Sequence, residues 1–330
     1  MNRRPPVPKL SQAIVGFQQH KAAEALSPRT LQGYEQHLKN FLAHVGDLEV
    51  SQFKSADIRG YLAWLRTDYQ PQRFTGSQAP LTPKTIRNFW VSLSAFFSWT
   101  SRELELPNPM KNVPGPRFED APVEPFSKED IEALLKACDF CQQADTTDRR
   151  RFTMRRVTGK RDRAIILTLL DTGLRASELC ALKMGDLEQK TGRLQVKHGR
   201  TGGAKGGKGR TVFLGKTARR TLWLYLTTRE DADDPEAPLF IGRFNRPLNR
   251  DTLRQVIASL GEKAGVKNCH PHRFRHTMAI TYLRSGGDVF TLQALLGHST
   301  LDMVQHYARI ADIDVEQAHR RASPADNWRL

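Results

Sequence analysis

Between His270 and Ile310 the chain reads HPHRFRHTMAITYLRSGGDVFTLQALLGHSTLDMVQHYARI, which strings His272, Arg275, His298 and Tyr307 along about forty residues. A phenol becomes a nucleophile when a base takes its proton, an imidazole can give or take that proton, and a guanidinium fork matches two oxygens of a phosphate. Upstream, Arg175 follows an apolar run, and Lys205 and Lys208 sit in the Gly-rich stretch TGGAKGGKGR. Cleaving a phosphodiester without a metal needs such a set: a nucleophile, cations for the non-bridging oxygens, an acid for the leaving oxygen, and something to orient them. No dense carboxylate cluster or His/Cys cage is present, which disfavours a two-metal nuclease. No GxxxxGK[ST] is present either, which disfavours ATP-driven chemistry.

Apolar residues interleave with these polar ones. Met278, Ala279, Ile280 and Leu283, then Val289, Leu292, Leu295 and Leu296, predict two helices broken at Ser285-Gly286-Gly287. The apolar run AIILTLLDTG predicts a helix ending at Gly173, directly before Arg175, with Ser177 able to cap the next helix. Alternation in RLQVKHG and TVFLG predicts two strands of a β-hairpin with a basic, flexible tip. Further helices are expected at 216–229 and 249–264.

Charge bounds the partner. Lys and Arg total 51 against 35 Asp and Glu, a net +16 with a pI near 10.0. Residues through Pro116 carry 14 basic and 8 acidic side chains, the remainder 37 and 27, so both halves are basic. Such an excess suits a polyanion, because neutralising phosphates releases counterions. No apolar run approaches the roughly 20 residues that a membrane helix needs. MNRRPPVPKL lacks the apolar region of a secretory signal, so a cytoplasmic location is expected. Cys138 and Cys141 form one CxxC with no second pair, which reads as reduced thiols at a helix end.

In order along the chain, residues 1–9 are expected to be disordered and 10–106 to form a compact helical domain. Ser27-Pro28 and Thr82-Pro83 are helix starts, and a short helix follows Ser55 or Asp57. Six prolines over 107–125 predict a linker, 107–126. Ser127 and Asp130 open a capping box for the next helix. Eight Arg and Lys over 145–163 read either as a solvated face or as a phosphate-contacting arm.

TGLRASEL (172–179), AKGGKGR (204–210), PHRFRH (271–276), LLGH (295–298) and Tyr307 together resemble the tyrosine recombinase, or phage-type integrase, family, Xer-like enzymes and mobile-element integrases included. The five motifs occur in the family's order and span most of 127–310. The resemblance implies a mainly α fold: a SAM-like helical core-binding domain (10–106) and an α-rich catalytic domain with a small β-sheet (127–310). It makes 311–330 a tail whose helix docks on a neighbouring subunit.

Residue by residue, the resemblance implies that Arg175 and Arg275 clamp the scissile phosphate and that Tyr307 attacks it to give a 3′-phosphotyrosyl link. His272 would assist the tyrosine proton or bind the phosphate, and His298 would donate a hydrogen bond to it. Lys205 would protonate the leaving 5′-oxygen, with Lys208 a rival. Glu178 would buttress the site. His270 and Arg273 repeat the spacing of His272 and Arg275, so spacing alone does not choose. The proline before His272 and His276 after Arg275 match the family's register, and the resemblance therefore implies the second pair, with His276 a packed helix residue. The implied function is site-specific recombination of duplex DNA by four protomers on two sites, without metal or nucleotide cofactor. Integration or excision of a mobile element is expected ahead of Xer-type dimer resolution. A type IB topoisomerase-like enzyme and a DNA-binding protein without catalysis remain the alternatives.

Overall fold

The computed structural model describes residues 7–72, 78–118, 124–140, 144–146, 149–152, 155–197, 209–297, 307, 323 and 325. The chain divides into two compact units, Met1–Ala121 and Pro122–Leu330.

The first unit is helical: α1 (Leu10–Ala23), α2 (Pro28–Val45), α3 (Ser55–Thr67) and α4 (Pro83–Glu103). Ser27 and Thr82 act as expected, their hydroxyls accepting the Thr30 and Thr85 amides. Helix α3 starts differently. Lys54 is its N-cap residue and the Asp57 carboxylate accepts the Lys54 amide at 2.8 Å. Ser55 is already helical, and its hydroxyl donates to the Pro109 carbonyl.

The apolar stripes meet in one core where Phe17, Phe41, Phe96 and Phe97 have no exposed surface. Edge-on contacts such as Phe17–Phe96, 5.6 Å between centroids, suit the ring quadrupole. Residues 7–9, expected to be disordered, are placed instead: Val7 packs against this core, and the Pro8 carbonyl accepts the Val50 amide. The proline-rich stretch is no free tether over its described part either. Met110 and Val113 are buried in the first core, and Trp90 Nε1 and Arg87 donate to the Val113 and Pro116 carbonyls.

The second unit begins with α5 (Lys128–Asp139), opened by the expected Ser127–Asp130 capping box. An antiparallel ribbon follows, β1 (Ala144–Thr146) and β2 (Arg149–Phe152), within the basic stretch that the sequence left open between a solvated face and a phosphate-contacting arm and for which it predicted no strand. Then come α6 (Gly159–Thr172), α7 (Ala176–Ala181), β3 (Leu187–Glu188), β4 (Arg193–Val196), β5 (Arg210–Phe213), α8 (Lys216–Leu226), α9 (Arg250–Ala264), α10 (Pro271–Arg284) and α11 (Val289–Leu296).

Strands β3, β4 and β5 form one antiparallel sheet, with Val196 opposite Arg210 at the base of the hairpin. The third strand, only two residues long, was not legible in the sequence. Helix α6 is the hub, packing on α5, α8 and α10. Its apolar residues Ala164, Ile165 and Leu169 are fully buried, so the loop at its C-terminal end is held in a fixed place. No described helix is long and apolar enough to cross a membrane.

Candidate active site

Three helix ends converge at the site. Helix α6 stops at Gly173, whose left-handed φ of 61° lets the chain turn sharply into Arg175. Arg175 occupies the N-cap position of α7, and the Glu178 carboxylate accepts its amide at 2.8 Å. Glu178, not Ser177, therefore supplies the cap. The same carboxylate accepts Arg175 Nη1 at 3.0 Å, fixing a half-exposed guanidinium against α7.

Arg275 lies on α10 and is 1 % exposed. Its Nη1 donates to the Gly173 carbonyl and its Nη2 to that of Leu296, both at 2.8 Å. A buried cation thus lies at the C-terminal ends of α6 and α11, where helix dipoles favour positive charge. Burial, then the like charges of Arg175 and Arg210 only partly offset by Glu178, pulls its pKa down to about 10.

Tyr307, 1 % exposed, packs with Met278, Ala279, Ile280, Leu283, Leu292 and Leu296. Burial raises its phenol pKa, while the charges of Arg275 and Arg175 pull the other way. The arrangement can thus favour a phenolate only as far as those cations, or a base, compensate for lost water. The His276 ring stands between two others, 5.3 Å from Tyr307 and 4.4 Å from His272, both edge-on. His272 has its pKa lowered by burial, then by Arg275, His270 and Arg175. It is held neutral near pH 7 and suited to accept a proton.

The repeated His-x-x-Arg spacing resolves in space. His270 caps α10, its Nδ1 accepting the Arg273 amide. Arg273 lies over the Phe126 ring at 4.0 Å and donates to the Glu124 and Lys267 carbonyls, so it serves packing. His272 and Arg275 face the group that includes Arg175 and Tyr307. Lys205, Lys208 and His298 lie outside the described residues, as does most of the tail 311–330.

One residue beside the site escaped the sequence reading. Arg210, the first residue of β5, clasps Glu178 with both terminal nitrogens at 2.9 and 2.7 Å. Its Nε donates to the Leu295 carbonyl at 2.7 Å. Its position at the end of AKGGKGR was the available signal, but β-register and partner come only with the fold. Glu178 responds strongly. Burial alone would raise its pKa, yet the hydrogen bonds and charge of Arg210, then the amide and charge of Arg175, hold it at about 2.

The basic stretch 145–163 is used internally at its C-terminal end. Asp162, with no exposed surface, accepts from Arg161, Arg156 and Thr158, and Arg163 pairs with Asp139 at 3.0 Å. Cys138 is buried and its thiol is pushed up to about 12; Cys141 lies outside the described residues.

The sequence model described as "Phage integrase family" matches residues 126–313, and that described as "Phage integrase, N-terminal SAM-like domain" matches 14–105. A tyrosine recombinase XerC of Pelobacter propionicus is 31 % identical over 323 residues, covering 96 % of either chain. A tyrosine recombinase XerD of Listeria monocytogenes is 26 % identical over 309 residues, covering 91 % of this chain and 94 % of the relative. Among solved structures, a Tn1549 transposon integrase in complex with a circular intermediate DNA superposes with a TM-score of 0.70 at 20 % identity, over 91 % of this chain and 95 % of that one. A XerH site-specific recombinase bound to palindromic difH substrate gives 0.65 at 20 % identity, over 90 % and 80 %. At that identity the likeness is one of fold.

Proposed function

The chain belongs to the phage integrase family of tyrosine recombinases, and on that premise we propose that it cuts and rejoins duplex DNA at specific sites through Tyr307. The observation that carries the reading is the cluster of Arg175, Arg210 and Arg275 around the single carboxylate of Glu178, with the Tyr307 phenol beside two of those cations. A phosphodiester is the anion that the Arg175 and Arg275 guanidiniums suit, with Arg210 occupied by the Glu178 carboxylate.

In the proposed reaction the Tyr307 oxygen attacks phosphorus while Arg175 and Arg275 hold the non-bridging oxygens. The phenolic proton passes to a base, for which neutral His272 is suited. The bond from phosphorus to the 5′-oxygen breaks, and Lys205 or Lys208 protonates the leaving oxygen. His298 donates a hydrogen bond to the phosphate. The 3′-phosphotyrosyl link keeps the bond energy, so a 5′-hydroxyl of the same or another strand reverses the step without ATP or metal.

Exchange would use four protomers on two DNA sites, in the cytoplasm. Full-length similarity to relatives named XerC and XerD supports dimer resolution over mobile-element integration as the biological role. Two-site joining in supercoiled plasmid, with metal chelated and no nucleotide, tests the reading. Joined products are expected. Relaxation without joining would mean a topoisomerase activity instead, and binding without cleavage a non-catalytic role.

A further inference from the structure

We propose that Arg210 is a positioning residue of the phosphate site, setting the Arg175 guanidinium through the carboxylate of Glu178. The inference rests on the recombinase reading above.

Three observations carry it. The Glu178 carboxylate is shared: Arg210 takes both oxygens through Nη1 and Nη2 at 2.9 and 2.7 Å, while the same oxygens accept the amide and Nη1 of Arg175 at 2.8 and 3.0 Å. A carboxylate in bidentate grip cannot rotate, so the direction of Arg175 is inherited from β5. Second, Arg210 Nε donates to the Leu295 carbonyl at 2.7 Å, on the turn whose next carbonyl, Leu296, accepts Arg275. One guanidinium therefore ties the Arg175 turn to the helix end that holds the other arm of the clamp. Third, the approach is close enough to favour glycine. Gly297 has φ 63°, and a Cβ there would meet Arg210 Cδ and Nη1 at 3.1 Å.

Charge points the same way. Glu178 alone would neutralise much of Arg175, the group that must meet the phosphate. With Arg210 sharing the carboxylate, Arg175 keeps its direction while the site keeps its excess of positive charge. Arg210 also begins the strand that follows, in sequence, the stretch with Lys205 and Lys208.

The test compares wild type, Arg210→Ala, Glu178→Ala and the double variant in full-length protein, on a saturating nicked recombination site, reading the rate of covalent adduct formation. A wild-type adduct establishes the parent reading, and its absence sinks that reading rather than this one. Arg210→Ala is expected to bind the site like wild type and cleave about 100-fold more slowly. The double variant is expected to be no slower than the slower single variant, because both changes act through one carboxylate.

The same set is run on a site whose scissile phosphate is a methylphosphonate, which lacks the negative charge. Removing the anion is expected to shrink the Arg210→Ala defect to about 10-fold or less. An equal loss on both substrates, or single effects that multiply in the double variant, would overturn the proposal in favour of a purely structural role. If Arg210→Ala does not fold, Arg210→Lys, which keeps the charge and loses the fork, carries the same two comparisons.

Discussion

Substituting alanine for Gly173 strikes the junction between α6 and the Arg175 turn, and its cost can be worked from two independent contributions. The φ of 61° is a left-handed conformation, costing an L-residue about 1 kcal/mol. A Cβ there would also stand 2.8 Å from Leu296 Cδ2 and 3.2 Å from Met278 Sδ, both in the core around Tyr307. Overpacking of that kind adds about 2 kcal/mol.

Gly265 separates the two contributions, since it caps α9 at φ 71° with nothing within 4 Å of a Cβ. Gly265→Ala is therefore expected to cost about 1 kcal/mol and Gly173→Ala about 3 kcal/mol. In thermal unfolding of the full chain, that is a fall of roughly 3 °C for the first and roughly 10 °C for the second. Below both transitions, Gly173→Ala should also slow DNA cleavage by about 10-fold or more, because the Gly173 carbonyl that receives Arg275 must shift. Equal destabilisation by the two alanines would refute the reasoning, since it would leave nothing for the core contact.

Arg273→Ala should lower stability by about 2 kcal/mol, through lost stacking on Phe126 and lost carbonyl contacts, while adduct formation stays near wild type; a cleavage defect as deep as that of Arg275→Ala would contradict the separation of the two pairs. Glu178 has a folded pKa of about 2 against an ordinary 4.5, so the roughly 3 kcal/mol it contributes is present above the unfolded value and lost as pH falls from 4.5 through about 2. Acid titration of stability should show that loss in wild type and a flatter profile in Glu178→Gln. Asp162→Ala leaves the buried Arg161 and the partly exposed Arg156 without their carboxylate and should cost about 3 kcal/mol by denaturant unfolding; a change below about 1 kcal/mol would show the Arg161–Asp162 pair to be solvated.

Much of this was legible in the sequence because local rules governed it. Ser27-Pro28, Thr82-Pro83 and Ser127 with Asp130 are helix starts written in three or four residues, and the structure uses all of them. Gly173 announces the helix end that leads into Arg175, and the structure uses it. Where several residues compete for one task, sequence chose less well. The α7 cap fell to Glu178 over Ser177, since a carboxylate three residues into the turn serves the Arg175 amide and guanidinium together. The ribbon β1–β2 was missed because its strands are three and four residues long and rich in arginine, with no apolar alternation. Arg210 was missed because its partners, Glu178 and Leu295, lie 32 and 85 residues away.

The central claim is that Tyr307 is the nucleophile of a metal-free phosphoryl transfer. It is tested most directly by trapping on a nicked DNA carrying the native site, with metal chelated, comparing wild type with Tyr307→Phe. The account predicts a denaturation-resistant protein–DNA adduct in wild type and none in Tyr307→Phe, with equal binding by both. An adduct that survives Tyr307→Phe, or no adduct on a site the wild type binds tightly, would contradict it.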